Sequence, residues 1–93
     1  MIHVLIERHI GETLEANYEE AARNVLYHAY KSPGFMSGET YSDAQHPTTR
    51  YVFCRFRSLE DWQRWLNSPE RYEAMSQLNA VLDRPEIIRI LTQ

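Results

Sequence analysis

Apolar side chains stand at every second position at the start of the chain. Ile2, Val4 and Ile6 have this spacing, which is typical of a β-strand with one buried face. We therefore predict a strand from Met1 to Arg8 that ends before Gly11.

The spacing changes to that of a helix from about Thr13 to Lys31. Apolar residues recur there at intervals of three and four, and glutamates occupy the opposite side. Ser32, Pro33 and Gly34 are expected to end the helix. Its apolar positions are Tyr18, Ala21, Ala22, Val25 and Ala29.

Two further strands are predicted over Phe35 to Asp43 and Thr49 to Arg57. The polar residues 44–48 between them suit the turn of a hairpin. The second of these strands is richer in β-branched and aromatic residues, which favour extended backbone.

Two short helices are predicted after the hairpin. Ser58 suits the N-cap of the first, with Asp61 three residues later as a shortened capping box. Ser68 and Pro69 suit the start of the second, because serine caps helices and proline is tolerated at the first helical position. The expected apolar stripes are Leu59, Trp62, Trp65 and Leu66 on the first helix and Tyr72, Met75, Leu78 and Leu82 on the second.

The last element is a strand from Glu86 to Thr92, which follows the helix-breaking Pro85. The order of elements is strand, helix, strand, strand, two helices and strand. This order matches the split βαβ pattern of ferredoxin-like α+β folds, so we expect one domain over residues 1–93 with an antiparallel sheet.

Two of the predicted strands are apolar on both sides. Tyr51 and Phe53 stand opposite Val52 and Cys54, and the last strand shows the same property. An antiparallel sheet with one solvated face would carry polar side chains there. We therefore predict that two copies of the chain pack sheet to sheet as a homodimer.

The composition and charge narrow the classes of function. Hydrophobic residues make up 43% and charged residues 25% of the chain, as in a folded globular protein. The net charge of -3, with mixed signs along the chain, argues against binding to nucleic acid. No apolar run has the length of a membrane span, so we expect no membrane partner and a cytoplasmic location. The single cysteine, Cys54, is expected to be a small buried hydrophobe.

The segments PGFMSGETYSD (Pro33 to Asp43) and YVFCRFRSLEDWQRWLNSPER (Tyr51 to Arg71) resemble the antibiotic biosynthesis monooxygenase family in their order and spacing. The resemblance covers essentially the whole chain. It implies a dimeric α+β barrel, with a cavity in each subunit between the sheet and the helices. It also implies that Trp65 lines this cavity, while Trp62 either fills the core or forms the cavity edge.

Relatives of this family degrade haem with an asparagine on the first strand, a tryptophan and an axial histidine. Trp65 matches the tryptophan, but Met75 stands at the histidine position and Arg8 on or next to the asparagine position. Because two of the three groups are absent, we expect neither haem degradation nor a bound cofactor.

The cofactor-free oxygenases of the family act on electron-rich aromatic compounds, which implies O2 and a small aromatic molecule as partners. Such a reaction needs a dry pocket, a general base and a cation or donor for the oxyanion. Arg55, within an apolar strand, is the candidate oxyanion partner, although it could instead pair with a surface carboxylate. The expected substrate contacts are Tyr41, Trp62, Trp65, Tyr72 and Met75.

The histidines provide the candidates for a general base. His9, at the end of the first strand, is the best placed and His28 is the second choice, although either could be an ordinary surface residue. The candidate catalytic residues are thus Arg55, Trp65 and His9. No histidines have chelating spacing and no cysteine or carboxylate cluster completes a shell, so we predict no metal site.

Two functions stay open at this point. The first is a cofactor-independent monooxygenase that oxidises a small aromatic or quinol-like compound with O2. The second is a non-catalytic dimeric module that binds a small hydrophobic ligand. An enzyme should hold a base and an oxyanion partner near one site, whereas a binding module needs only an apolar lining.

Overall fold

Four antiparallel strands and three helices make up the chain, and a computed structural model describes all of residues 1–93. In chain order the elements are β1 (Ile2–His9), α1 (Glu15–Tyr30), β2 (Phe35–Ser42), β3 (Thr49–Phe56), α2 (Leu59–Leu66), α3 (Pro69–Asn79) and β4 (Ile87–Leu91). The strand order across the sheet is β2-β3-β1-β4. The predicted ferredoxin-like α+β fold is confirmed. No helix is both long enough and apolar enough to cross a membrane.

The strict alternation of β1 decides which sheet face is covered by the helices. Ile2, Val4 and Ile6 are buried, while the residues between them are only half-buried. β3 pairs with β1 so that Val4 stands beside Cys54, which is also buried. The helices therefore cover the face that carries the even-numbered residues of both strands.

The long helix buries the side that its sequence predicts. Tyr18, Ala21, Val25 and Ala29 are buried on α1, and Ala22 is half-buried beside them. Apolar side chains at intervals of three and four form one stripe on a helix, and this stripe packs on the sheet. The predicted buried stripe of the first helix is confirmed.

Helix α2 is short but carries both tryptophans into the core. Trp62 is almost completely buried, and its ring meets Phe56 edge to face with centroids 5.4 Å apart. The backbone N–H of Asp61 donates to Ser58 Oγ over 3.1 Å, so the predicted N-cap is confirmed. Leu59, expected in the apolar stripe, is instead 44% exposed.

The predicted apolar stripe of α3 is wrong at its first and last members. Tyr72 is 84% exposed, and Leu82 lies beyond the end of the helix. The buried residues of α3 are Arg71, Ala74, Met75 and Leu78. The buried side therefore begins with an arginine one position earlier, whose long apolar stem can be buried while its charge is paired elsewhere.

The sheet face opposite the helices is the open face. Its apolar members include half-buried Leu5 and Phe53 and more exposed Ile87 and Leu91. Charged side chains of Glu7 and Arg89 lie among them. The open face is thus apolar but not uniformly so, and the homodimer stays a prediction at this stage.

Candidate functional site

A small space between the sheet and the helices, the inner cavity, has a volume of about 30 Å³. Nine of its twelve lining residues are hydrophobic. The sheet contributes Ile6, Val52 and Cys54, α1 contributes Ala22, Val25, Leu26 and Ala29, and α2 contributes Trp62 and Trp65. The three polar lining residues are Thr40, Arg8 and Arg71.

Two buried arginines and one carboxylate form an arginine cluster of Arg8, Arg71 and Glu86 beside this cavity. Arg8 Nε donates to Glu86 Oε2 over 2.9 Å, and Arg71 Nη2 donates to the other carboxylate oxygen. Arg8 Nη1 also lies 3.4 Å from the hydroxyl of Tyr18. The cluster therefore joins β1, α1, α3 and the segment before β4.

The arginine cluster carries an excess of positive charge. Two guanidinium groups face a single carboxylate, and arginine does not lose its proton in proteins. Burial alone would raise the pKa of Glu86, but the charges of Arg8 and Arg71 and their hydrogen bonds lower it below its ordinary value. With Glu86 ionised, one positive charge beside the inner cavity is left uncompensated.

Two buried donor groups near the cavity have no hydrogen-bond partner. These are the indole Nε1 of Trp62 and the Nε of Arg71, and both residues line the inner cavity. A buried donor without a protein partner is costly unless a bound water or a ligand accepts from it. The site therefore offers an excess cation and two unused donors, which is the combination that suits an anionic oxygen.

The only cysteine, Cys54, lines the same cavity and is expected to be unreactive. Burial raises the pKa of the Cys54 thiol to about 11, and the charges of Arg8 and Arg71 oppose this rise only in part. The thiol is therefore protonated near neutral pH and is a poor nucleophile. Cys54 acts as a small hydrophobic wall, as the sequence predicts.

A larger space, the α1–β2 groove, opens next to the inner cavity and has a volume of about 370 Å³. It shares Ala22, Leu26 and Thr40 with the inner cavity. Its other lining residues are Tyr18, Glu19, Arg23, Tyr41, Ser42, Arg50 and Tyr51. Half of the lining is hydrophobic, so the groove provides the walls that a flat aromatic molecule needs.

Arg50 closes one side of this groove in a fixed position. Its Nη1 lies 3.3 Å from Glu19 Oε1, and its guanidinium carbon lies 5.6 Å from the centre of the Tyr18 ring. The charge of Arg50 is therefore already paired, in contrast to that of the arginine cluster.

A second groove lies on the other side of the arginine cluster and is named the α3 groove. It has a volume of about 570 Å³, but only three of its ten lining residues are hydrophobic. Arg71 lines both this groove and the inner cavity. The side chain of Arg71 thus lies between the inner cavity and the α3 groove.

The predicted substrate contacts fall into three separate spaces. Trp62 and Trp65 line the inner cavity, Tyr41 borders the α1–β2 groove, and Tyr72 and Met75 line the α3 groove. The structure therefore does not bring these five residues together around one small molecule.

Two of the predicted catalytic residues lie on the open face of the sheet. Arg55 and His9 belong to the odd-numbered positions of β3 and β1, whose side chains point away from the helices. Arg55 Nε donates to Ser37 Oγ over 2.9 Å, and His9 Nε2 shares a 2.7 Å hydrogen bond with Glu7 that lowers the pKa of Glu7. The expected grouping of Arg55 and His9 with Trp65 does not occur.

The arginine cluster was predictable from the sequence only in part. Arg8 continues the buried alternation of Ile2, Val4 and Ile6, and this was a usable signal for a buried charge. Arg71 and Glu86 carried no comparable signal, because Arg8 and Glu86 are 78 positions apart and meet only through the fold.

A family sequence model shows the family of the chain, and solved structures show its fold. The sequence model of the family described as "Antibiotic biosynthesis monooxygenase" matches residues 1–77. No curated protein sequence is significantly similar to the chain.

No group of three or more His, Cys, Asp or Glu side chains lies close enough to hold a metal ion.

Solved structures match the chain over nearly its full length at low sequence identity. A putative antibiotic biosynthesis monooxygenase from Nitrosomonas europaea is 14% identical with a TM-score of 0.88, and covers 100% of this chain and 98% of its own. One from Bordetella bronchiseptica is 10% identical with a TM-score of 0.90, with coverages of 99% and 95%. SnoaB, a cofactor-independent oxygenase from Streptomyces nogalater, is 13% identical with a TM-score of 0.87, with coverages of 99% and 92%. At these identities the likeness concerns the fold.

Proposed function

We propose that the chain, which belongs to the antibiotic biosynthesis monooxygenase family, is a cofactor-independent oxygenase. Its substrate would be a small phenolic or quinol-like compound that reacts with O2 as its anion. The fold resemblance to SnoaB, a cofactor-independent oxygenase, supports the reaction class.

The observation that carries this proposal is the uncompensated positive charge beside an apolar cavity. Arg8 and Arg71 share one carboxylate, Glu86, and the remaining lining of the inner cavity is almost entirely apolar. In such surroundings a cation interacts strongly with an anion, because little water screens it. The site therefore favours the phenolate over the neutral phenol, and only the phenolate gives up an electron readily.

The aromatic ring would lie in the α1–β2 groove with its oxygen towards the inner cavity. The inner cavity alone is too small, because roughly 150 Å³ of apolar cavity is known to hold benzene, whereas it offers only about 30 Å³. The groove adds about 370 Å³ and adjoins the cavity at Leu26 and Thr40. The ring would then approach Trp65 and Arg71 from the side of α1.

The proposed reaction needs no electron source other than the substrate. The substrate anion transfers one electron to O2, which gives an organic radical and superoxide. These two combine to form a carbon–oxygen bond, and protonation gives a hydroperoxide. Loss of water then converts a CH2 group, or a ring CH of a phenol, to a carbonyl, so that one oxygen atom enters the product and the other leaves as water.

The inner cavity has no base in its lining, so the substrate must be acidic enough to ionise without one. No histidine, aspartate or glutamate lines it, and the thiol of Cys54 is a weak acid and a poor base at neutral pH. The substrate must therefore lose its proton to solvent with the help of the positive charge alone. This requirement favours hydroquinones, polycyclic phenols and enols over simple unactivated phenols.

We further propose that the protein works as a homodimer through the open face of the sheet. Leu5 and Phe53 are half-buried there, and Ile87 and Leu91 are 38% and 41% exposed. An open sheet face with several exposed apolar side chains commonly forms an interface between subunits. The cytoplasmic location stays a prediction from the sequence.

The decisive pair of variants at Arg71 keeps a long, unbranched side chain and differs in its charge. Arg71→Met removes the excess charge and leaves Arg8 paired with Glu86, whereas Arg71→Lys keeps the charge. We expect O2 uptake with a panel of hydroquinones and phenolic polycycles to fall at least about 100-fold in Arg71→Met, as when an oxyanion donor is removed, and to be largely kept in Arg71→Lys.

The controls separate enzymatic turnover from autoxidation. Arg84→Met removes an exposed arginine that pairs only with its neighbour Asp83, so its uptake should equal that of the wild type. Chelator-treated and boiled protein give the background for each compound. Equal uptake by wild type, Arg71→Met and boiled protein over the panel would argue against the oxygenase.

A binding module is the second candidate, and the absence of a base in the inner cavity favours it. Such a protein would hold a small hydrophobic or anionic aromatic molecule in the same groove without oxidising it. It would show saturable binding of the panel compounds, weakened by Arg71→Met, while O2 uptake stays at the boiled background.

A further inference from the structure

We propose that the inner cavity is a binding site for dioxygen, distinct from the α1–β2 groove that receives the aromatic ring; this inference rests on the proposed oxygenase function. The volume of about 30 Å³ exceeds the roughly 10–15 Å³ that one water-sized molecule needs and is far below the roughly 150 Å³ of a cavity that holds benzene. It admits a diatomic molecule and excludes any aromatic ring.

The lining of the inner cavity suits a small molecule that enters uncharged and then gains a negative charge. Nine of the twelve lining residues are hydrophobic, so a diatomic gas loses no hydrogen bonds on entering. Two donors of lining residues, Trp62 Nε1 and Arg71 Nε, have no hydrogen-bond partner within the protein and are free to donate to an anionic oxygen.

The position of the cavity places O2 against the reacting ring. Ala22, Leu26 and Thr40 line both the cavity and the α1–β2 groove. A ring in the groove and O2 in the cavity would therefore meet at this shared border. The carbon–oxygen bond formation that follows electron transfer needs such direct contact.

The arginine cluster acts after the electron has moved. The substrate anion is oxidised to a radical as O2 is reduced by one electron to superoxide, so the negative charge passes from the groove into the cavity. Arg8 and Arg71 line the cavity and carry the excess positive charge. They would stabilise superoxide where it forms, and superoxide then joins the radical through a new carbon–oxygen bond.

The site can be tested with O2 itself, because O2 is paramagnetic and speeds the NMR relaxation of protons that it touches. The methyl groups of Val25, Ile6 and Val52 line the cavity, whereas Val4 is fully buried elsewhere in the core. In the wild type without substrate, dissolved O2 should enhance relaxation of the three cavity residues several-fold more than that of Val4. Equal enhancement at all four would overturn the proposal.

A cavity-filling variant provides a second test of the proposed O2 site. Val25→Leu adds one methylene group into the space, and Val81→Leu adds the same group at a half-buried position outside every described cavity. We expect Val25→Leu to abolish the excess relaxation at Ile6 and Val52, and Val81→Leu to keep it. An unchanged excess in folded Val25→Leu would overturn the proposal.

Kinetics connect the site to the reaction. Val25→Leu should raise KM for O2 several-fold and leave KM for the aromatic substrate unchanged, because the two ligands occupy different spaces. A change in KM for the aromatic substrate alone would overturn the assignment. If no compound supports uptake, the oxygenase function fails, while the relaxation measurements still decide whether the cavity holds O2.

Discussion

The central residues of the proposed site are three charged side chains, and two of them stand at positions where apolar residues are usual. Arg8 occupies the fourth even-numbered place on β1, and Arg71 occupies the first buried place on α3. Removing one partner of a buried ion pair leaves a charge without compensation, and this costs more than the pair contributes. Glu86, as the single carboxylate between two guanidinium groups, is therefore the most sensitive member.

We expect Glu86→Gln to lower the free energy of unfolding by about 3–5 kcal/mol at pH 7. Urea unfolding followed by circular dichroism measures this loss. Glu12→Gln is the matched control, since Glu12 is exposed and makes no ion pair, and its unfolding free energy should match that of the wild type.

The loss of unfolding free energy in Glu86→Gln should depend on pH in a defined direction. The pKa of Glu86 is lowered in the folded state, so its contribution is fully present above the unfolded value of about 4.3 and is lost as the pH falls through the folded value. The difference between wild type and Glu86→Gln should therefore shrink below about pH 4. A difference that stays constant down to pH 2.5 would show that the carboxylate charge is not its cause.

The sequence could have revealed part of this site at the level of single residues. Arg8 occupies the next position in the alternating apolar series of Ile2, Val4 and Ile6, and this position predicts a buried charge. Arg55 interrupts a similar series on β3 and suggested the same conclusion, but it belongs to the odd-numbered residues and lies on the open face. The two cases differ only in which face the helices cover, and this depends on tertiary packing.

At the scale of elements, the turn into β2 positions the start of α2. Gly34 has a φ of 82°, in the left-handed region, and its carbonyl accepts from the backbone N–H of Arg57 over 2.8 Å. A Cβ built on Gly34 would lie 2.3 Å from Asp61 Oδ2. Asp61 is buried in the first turn of α2 and accepts from Arg57 Nε over 2.9 Å.

We predict that Gly34→Ala lowers the free energy of unfolding by at least about 2 kcal/mol, through backbone strain and displacement of Asp61. A double-mutant cycle with Asp61→Gly separates the two causes, because this variant also removes the Cβ of Asp61 that a side chain at position 34 would meet. The cost of Gly34→Ala should be smaller in the Asp61→Gly background by the part that the clash contributes. Identical costs in both backgrounds would remove the close contact from the explanation.

The helices and strands themselves were largely predictable, and the errors have physical reasons. Spacing of two and of three to four residues identified β1 and α1, and the caps Ser58 and Ser68 identified the starts of α2 and α3. The stripe of α3 was misplaced because Tyr72 is more hydrophobic than Arg71. The stem of the arginine is buried all the same, since Glu86 pairs with its charge.

At the scale of the whole molecule, the open face of the sheet carries the prediction of a dimer. We expect light scattering at micromolar concentration to give twice the mass of the chain. Phe53→Asp places a charge in the middle of the open face and should produce monomers. Tyr72→Asp, at a residue that is 84% exposed on the helix side, should leave the dimer intact. A wild-type protein that is folded and monomeric would contradict this interface.

The measurement that tests the central claim most directly is the ionisation of a bound phenol. A nitrophenol that O2 does not oxidise changes its absorption when it loses its proton, so titration with protein at a pH below its own pKa reports its charge. The positive charge beside the inner cavity predicts that the bound pKa falls by at least about one unit, equivalent to about 1.4 kcal/mol. The fall should be kept in Arg71→Lys and lost in Arg71→Met. A nitrophenol that binds as the neutral acid, with an unchanged or raised pKa, would contradict the account.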